Sequence, residues 1–120
     1  MGLDMYAFKT ATPVPAVDFK PGADDEQIAY WRKHPNLHGW MEALYYRKGG
    51  LEAFNCVPVR LNADDLDELE RAVNDNTLPD TTGFFFGETR PEEIDNDLAF
   101  IAAARAAISA GYCVYYDSWW

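Results

Sequence analysis

The sequence predicts a single α+β domain spanning 1–120, with a sheet of about four strands, at least partly antiparallel, and helices mainly on one face. Three observations predict it. Short alternating or aromatic runs of strand length, at 3–8, 54–61, 82–87 and 112–119, are interleaved with stretches of helical period such as Leu66, Leu69 and Val73. Proline and glycine punctuate the joins, at Pro13, Pro15, Pro21, Gly49-Gly50 and Gly111. A chain of 120 residues that is 48% hydrophobic and 15% aromatic can bury a core without staples and is too apolar to stay disordered.

Residues 3–8 alternate Leu3, Met5 and Ala7 with Asp4, Tyr6 and Phe8; aromatic groups on the second face place this strand centrally. Residues 10–22, with three prolines and no period, read as an extended crossing segment. Asp24 or Asp25 is placed to cap a helix running to about Lys33, with Ile28 and Trp31 on its inner face. Pro35 lacks an amide and pushes His34 out of helical geometry, so a second helical segment restarts there. It buries Leu37, Trp40, Met41 and Leu44 and stops at Gly49-Gly50 behind Arg47 and Lys48.

Residues 54–61 form the second expected strand, with Pro58 marking an edge or bulge. Asn62 caps a short helix whose Leu66, Leu69 and Val73 face in while Asp64, Asp67, Glu68, Arg71 and Asp75 face out. Thr82-Gly83-Phe84-Phe85-Phe86-Gly87 lacks the spacing of a phosphate-binding loop and reads as a buried strand. Thr89-Arg90-Pro91-Glu92 has the capping-box pattern, opening a helix to about Ala110 with Ile94, Leu98, Ile101 and Ile108 inward. Residues 112–119 close the sheet. Cys56 and Cys113 both fall in strand-like segments and are expected as reduced, buried thiols without nucleophilic surroundings.

The formal charge of −10 is concentrated in one place. Residues 63–97 hold 12 acids against Arg71 and Arg90, and the rest of the chain is balanced. A field of that sign excludes nucleic acid as the expected partner. No apolar run reaches the length of a membrane helix, and Asp4 interrupts any secretory pattern, so a soluble cytoplasmic protein is expected, with no membrane partner.

Chemistry-bearing groups are densest at 29–41, A-Y-W-R-K-H-P-N-L-H-G-W-M. Trp31 or Trp40 can stack a planar ligand, Arg32 and Lys33 can hold an anion, and Asn36 and His38 lie near a helix start whose free amides favour negative charge. The competing reading keeps both tryptophans in the core and pairs Arg32 and Lys33 with Asp24, Asp25 and Glu26. His34 and His38 have the i, i+4 spacing of two metal ligands, but no Glu adjoins His34, no third ligand is placed and Pro35 distorts the turn; no metal and no cofactor is expected. Ser118, Asp117 and His38 could be written as a triad, but no nucleophile-elbow sequence surrounds Ser118.

Met1-Gly2-Leu3-Asp4-Met5-Tyr6, the block Tyr30-Trp31-Arg32-Lys33 with Asn36, His38 and Trp40, the 82–87 segment and the ending Tyr115-Tyr116-Asp117-Ser118-Trp119 together make the chain resemble a family of small proteins of bacteria and their phages, with no assigned activity. The resemblance spans nearly the whole chain and implies a bacterial or phage cytosolic setting. It carries no catalytic residue across. The leading functional expectation is a non-catalytic binding or regulatory module that engages a protein or small anionic ligand through Trp31, Arg32, Lys33, Asn36, His38 and Trp40. The alternatives are a small enzyme with His38 as acid or base and Arg32 and Lys33 on an anion, and a phage-type inhibitor using 63–97 as an acidic decoy.

Overall fold

A computed structural model describes residues 2–83 and 86–120. It is an α+β domain of three helices and one antiparallel sheet. The order along the chain is β1 (Asp4–Thr10), β2 (Glu26–Arg32), α1 (Pro35–Arg47), β3 (Val59–Leu61), α2 (Ala63–Asn74), α3 (Glu93–Ser109) and β4 (Cys113–Trp119). The strands lie in the order β2-β1-β4-β3, so β1 and β4 are central.

Register sorts the side chains. Rows Trp31–Met5–Ser118 and Ala29–Ala7–Tyr116–Val59 share one face, and Arg32–Asp4–Trp119 and Tyr30–Tyr6–Asp117 share the other. The first face meets Leu37, Met41 and Leu44 of α1, Leu66, Leu69 and Val73 of α2, and Phe100, Ile101 and Ala104 of α3, all buried in one core. The second face keeps its aromatic character, with Tyr6 stacked on Phe8 and tilted on Tyr30, and Phe8 stacked on Tyr115. Residues 11–25 cross towards the β3 edge as an extended segment; Val17 bridges Val59, and Phe19 packs edge-on against Tyr115.

The expected helix over 24–33 is a strand. Ile28, Tyr30 and Trp31 favour the pleated surface, the two faces alternate, and pairing to β1 satisfies the backbone. Its register slips between Ala7 and Phe8, leaving Ile28 as the bulged residue. Asp25 caps no helix and instead accepts from the Gly22 amide and the Tyr115 hydroxyl. The strand expected at 54–61 shrinks to β3, because Pro58 has no N–H to pair and Cys56 turns the backbone left-handed at φ 60°. Cys56 is therefore exposed and Cys113 half-buried, both as free thiols. Of the strand expected at 82–87, Phe84 and Phe85 lie outside the described residues; Thr82, Gly83 and Gly87 are exposed coil and Phe86 is buried.

Two helix starts differ from each other. Asn62 caps α2 as the sequence leads one to expect, and Asp65 completes a capping box with it. Thr89 does not cap α3, whose N-cap position is Glu92 with no side-chain bond. The Thr89 hydroxyl is used elsewhere.

Candidate functional site

Three segments meet at the N-terminal ends of α1 and α3. The first is the exit from β2. Lys33 still donates its amide to the Leu3 carbonyl, then turns the chain at φ 55°, and Pro35 starts α1 with its fixed φ. His34 is thereby held at the N-cap position, 1% exposed.

The second is α3, whose buried stripe is Glu93, Asp97, Phe100, Ile101, Ala104 and Ala107. The expected stripe of Ile94, Leu98, Ile101 and Ile108 is rotated by about one residue, leaving Ile94 41% exposed. Two carboxylates therefore occupy inward positions. Phe100 explains the rotation: its ring packs edge-on against Trp31, 5.0 Å between centroids, and fixes which face of α3 meets the sheet.

The third supplies Thr81 and Thr89, which meet the start of α1. Thr81 donates its amide to the Asn36 side-chain oxygen at 3.0 Å. Gly39 permits this approach, since a Cβ there would fall 1.9 Å from the Thr81 hydroxyl oxygen.

These segments close a continuous hydrogen-bonded chain. The Asn36 amide, one of the unpaired donors at the start of α1, donates to Thr89 Oγ1 at 3.0 Å. Thr89 Oγ1 lies 3.0 Å from His34 Nδ1. His34 Nε2 lies 2.9 Å from one Asp97 oxygen, and Trp31 Nε1 donates to the other at 3.1 Å. With Asp97 ionised, the proton sits on Nε2 and the Thr89 hydroxyl donates to Nδ1, which gives every donor an acceptor. Thr89 thus caps α1 from 53 residues away.

Glu93 completes the cluster, 4% exposed, bonded by Arg90 at 3.0 Å from the exposed rim. Desolvation pushes the Asp97 carboxyl above its usual range, with Glu93 adding to the rise and the His34 and Trp31 bonds opposing it. The cluster forms the floor of a cleft of about 430 Å³, walled by Val73, Leu78 and Ile94 and edged by Asn36, Asn76 and Arg90.

Chemically the cluster offers two things. Hydroxyl, imidazole and carboxylate stand in the order of an acyl-transfer triad with the ring nitrogens exchanged. A lone pair of that hydroxyl is already engaged by the Asn36 amide, which weakens it as a nucleophile. The second offer is a set of ligand atoms: one atom each from His34, Glu93 and Asp97 lie within 4.8 Å of one another, and all three residues are buried.

The residues expected to share one surface separate. Trp31 and Asn36 belong to the site just described, Trp31 through its bond to Asp97. Arg32 and Lys33 are exposed and border a shallow groove with Glu88 and Arg90, and Arg32 bonds Asp4 at 2.8 Å; of the acids expected to pair with them, Glu26 pairs with Lys9 and Asp25 bonds the Tyr115 hydroxyl. The odd–even alternation of β2 is the cause, sending Trp31 in and Arg32 out. Trp40 is half-buried at the edge of the core. His38 turns into an aromatic nest of Phe54, Phe86, Tyr116 and Trp120, bonded through Nδ1 to the Tyr116 hydroxyl at 2.7 Å. It is 1% exposed, and desolvation pulls its pKa down to about 4, so neither acid–base work at neutral pH nor a shared metal with His34 fits it.

Thr89, Glu93 and Asp97 were missing from the sequence-based site. One signal could have found two of them: continuing the Phe100, Ala104, Ala107 spacing backwards along α3 lands on Asp97 and Glu93. No family model, curated protein or solved structure matches the chain.

Proposed function

We propose that the protein is a non-catalytic binding or regulatory module whose ligand enters the cleft between the starts of α1 and α3. The observation that carries this reading is the burial of His34, Glu93 and Asp97 beneath an open cleft. Such groups cost stability when desolvated, and apolar side chains of similar volume would pack the same space more favourably. In this reading the polar groups are kept because they meet a ligand in the cleft.

The ligand class differs from the anion expected of the sequence. The Asn36 amide is taken by Thr89, and two carboxylates line the floor, so the local field favours a cation or a neutral hydrogen-bonding group. Exposed acids of α2 support a decoy less well, because Glu68 is paired with Arg47, and Asp67 and Glu70 with Arg105. Among the described residues no helix is long and apolar enough to cross a membrane; a bacterial or phage cytosol is part of this proposal.

A fragment screen read by amide NMR shifts tests the assignment. Small amines, amides and polyols should move the Asn36, Asn76 and Thr89 amides together. Shifts confined to the Tyr30 and Trp119 face, or to the outer face of α2, would relocate the binding surface.

A further inference from the structure

We propose that His34, Glu93 and Asp97 form a binding site for one divalent first-row transition ion, with the cleft as the side from which its remaining positions are filled. This deepens the binding reading above and rests on it. Four features of the cluster support the assignment independently of one another.

The first is charge. Two carboxylates neutralise one divalent ion, while the only charge-bearing partners they have now, beside the neutral Trp31 and Asn96 donors, are an imidazole and a single guanidinium reaching in from the rim. Buried carboxylates need a partner of that kind, and a metal ion is the most compact one.

The second is spacing. Two ligands each about 2.1 Å from an octahedral ion stand about 3 Å apart. Nε2 of His34 lies 2.9 and 3.1 Å from the two oxygens of Asp97. Glu93 sits one helical turn before Asp97 on the same face of α3, with a carboxylate oxygen within 4.8 Å of the other two ligand atoms.

The third is orientation. Ligating imidazoles are held by a bond at the other ring nitrogen and ligating carboxylates by a bond at the other oxygen. Thr89 supplies the first at 3.0 Å and Trp31 the second at 3.1 Å. Both contacts stay in place when an ion arrives, but the Thr89 bond reverses. The ring proton leaves Nε2 and resides on Nδ1, Thr89 Oγ1 accepts it, the hydroxyl hydrogen turns away from the ring, and the ion replaces the direct bond between Nε2 and Asp97.

The fourth is donor chemistry. One imidazole nitrogen and two carboxylate oxygens suit zinc, manganese or iron(II) over the all-oxygen preference of calcium and magnesium. Three protein ligands and an open cleft also resemble metal sites that bind a further ligand, rather than closed structural ones.

The test uses the whole chain, stripped with chelator and labelled with 15N, and titrated with Zn2+. The expected result is a saturating change of the His34 Nε2 resonance at one equivalent, with the His38 ring unmoved as an internal control. Mg2+ over the same range should leave His34 unchanged. Glu93→Gln, confirmed as folded by circular dichroism, should weaken Zn2+ binding by about tenfold or more. A His34 ring unshifted by Zn2+ up to about 1 mM, a response to Mg2+ equal to that to Zn2+, or a folded Glu93→Gln that binds as tightly as the parent overturns the proposal. The measurement on the unsubstituted protein decides even if the variant does not fold. If His34 ignores Zn2+ while the Asn36 and Thr89 amides still respond to organic fragments, the metal site falls and the cleft stands; if neither responds, both fall.

Discussion

His34 and His38 are equally buried, four residues apart, and chemically opposite. Both rings are 1% exposed. His34 has a hydroxyl at one nitrogen and a carboxylate at the other, inside a cleft that solvent reaches. His38 has the Tyr116 hydroxyl at one nitrogen, no partner among the described residues at the other, and aromatic rings around it. Exposure alone does not separate a functional histidine from a packed one. The separation lies in what each ring nitrogen faces, because a carboxylate holds a proton or cation there, whereas a nest of aromatics excludes the water that a charged ring needs.

The comparison can be broken most forcefully at Asp97. Asp97→Ala removes the partner of both His34 Nε2 and Trp31 Nε1 and leaves two buried donors unsatisfied, so urea unfolding at pH 7 should show a loss of about 3–5 kcal/mol. A loss below about 1 kcal/mol would mean that the carboxylate is solvated and the cluster is not a buried site.

The next effect belongs to His38 and to pH. Its folded pKa of about 4 lies below the ordinary imidazole value of about 6.5, so the unfolded chain takes up a proton first as pH falls. The stability tied to the neutral ring is complete above pH 6.5 and is lost on going down towards pH 4, by about 3 kcal/mol. Asp97 and Asp117, raised by burial, act with the opposite sign and favour the folded state as they protonate. The difference between parent and His38→Gln stability curves isolates the histidine: it should narrow steadily between pH 6.5 and pH 4, and a flat difference would place His38 in water.

A smaller effect is expected at Thr89. Thr89→Val keeps the shape and removes the cap of α1 together with the bond to His34, for a loss of about 1–2 kcal/mol by the same unfolding assay. Thr89→Ser restores the hydroxyl and should come within about 0.5 kcal/mol of the parent. A loss for Thr89→Ser with none for Thr89→Val would show that the methyl group matters and the hydroxyl does not.

The fold was largely legible in the sequence where periodicity is long or caps are local. Leu66, Leu69 and Val73 with Asn62 define α2, and residues 3–8 and 112–119 were recognisable as strands. Residues 26–32 were misread because Asp24, Ile28 and Trp31 satisfy a helical template, while pairing to β1 is a long-range term that no local window contains. The site was half legible. Trp31 and Asn36 stood out by residue type, but the orientation of α3 is set by Phe100 packing on Trp31, 69 positions apart in sequence, and by no rule internal to the helix. Thr89 was recognised as a capping residue and assigned to the wrong helix, since a capping pattern does not say whose amides it will meet.

The two edges of the sheet are unequal, and that inequality limits how copies of the chain can add to one another. At β3 the edge is already occupied, by the Val17 bridge and the bond from the Arg60 amide to the Ala16 carbonyl. At β2 the sheet ends, with a bulge at Ile28 between charged Glu26 and Arg32. Open-ended growth by strand addition needs a donor edge and an acceptor edge on every molecule. If β2 is the one terminal strand without a pairing neighbour among the described residues, a second copy can meet it only edge to same edge, about a twofold axis, and the union leaves no further edge to extend. Any strand addition through the β2 edge would therefore be limited to two copies.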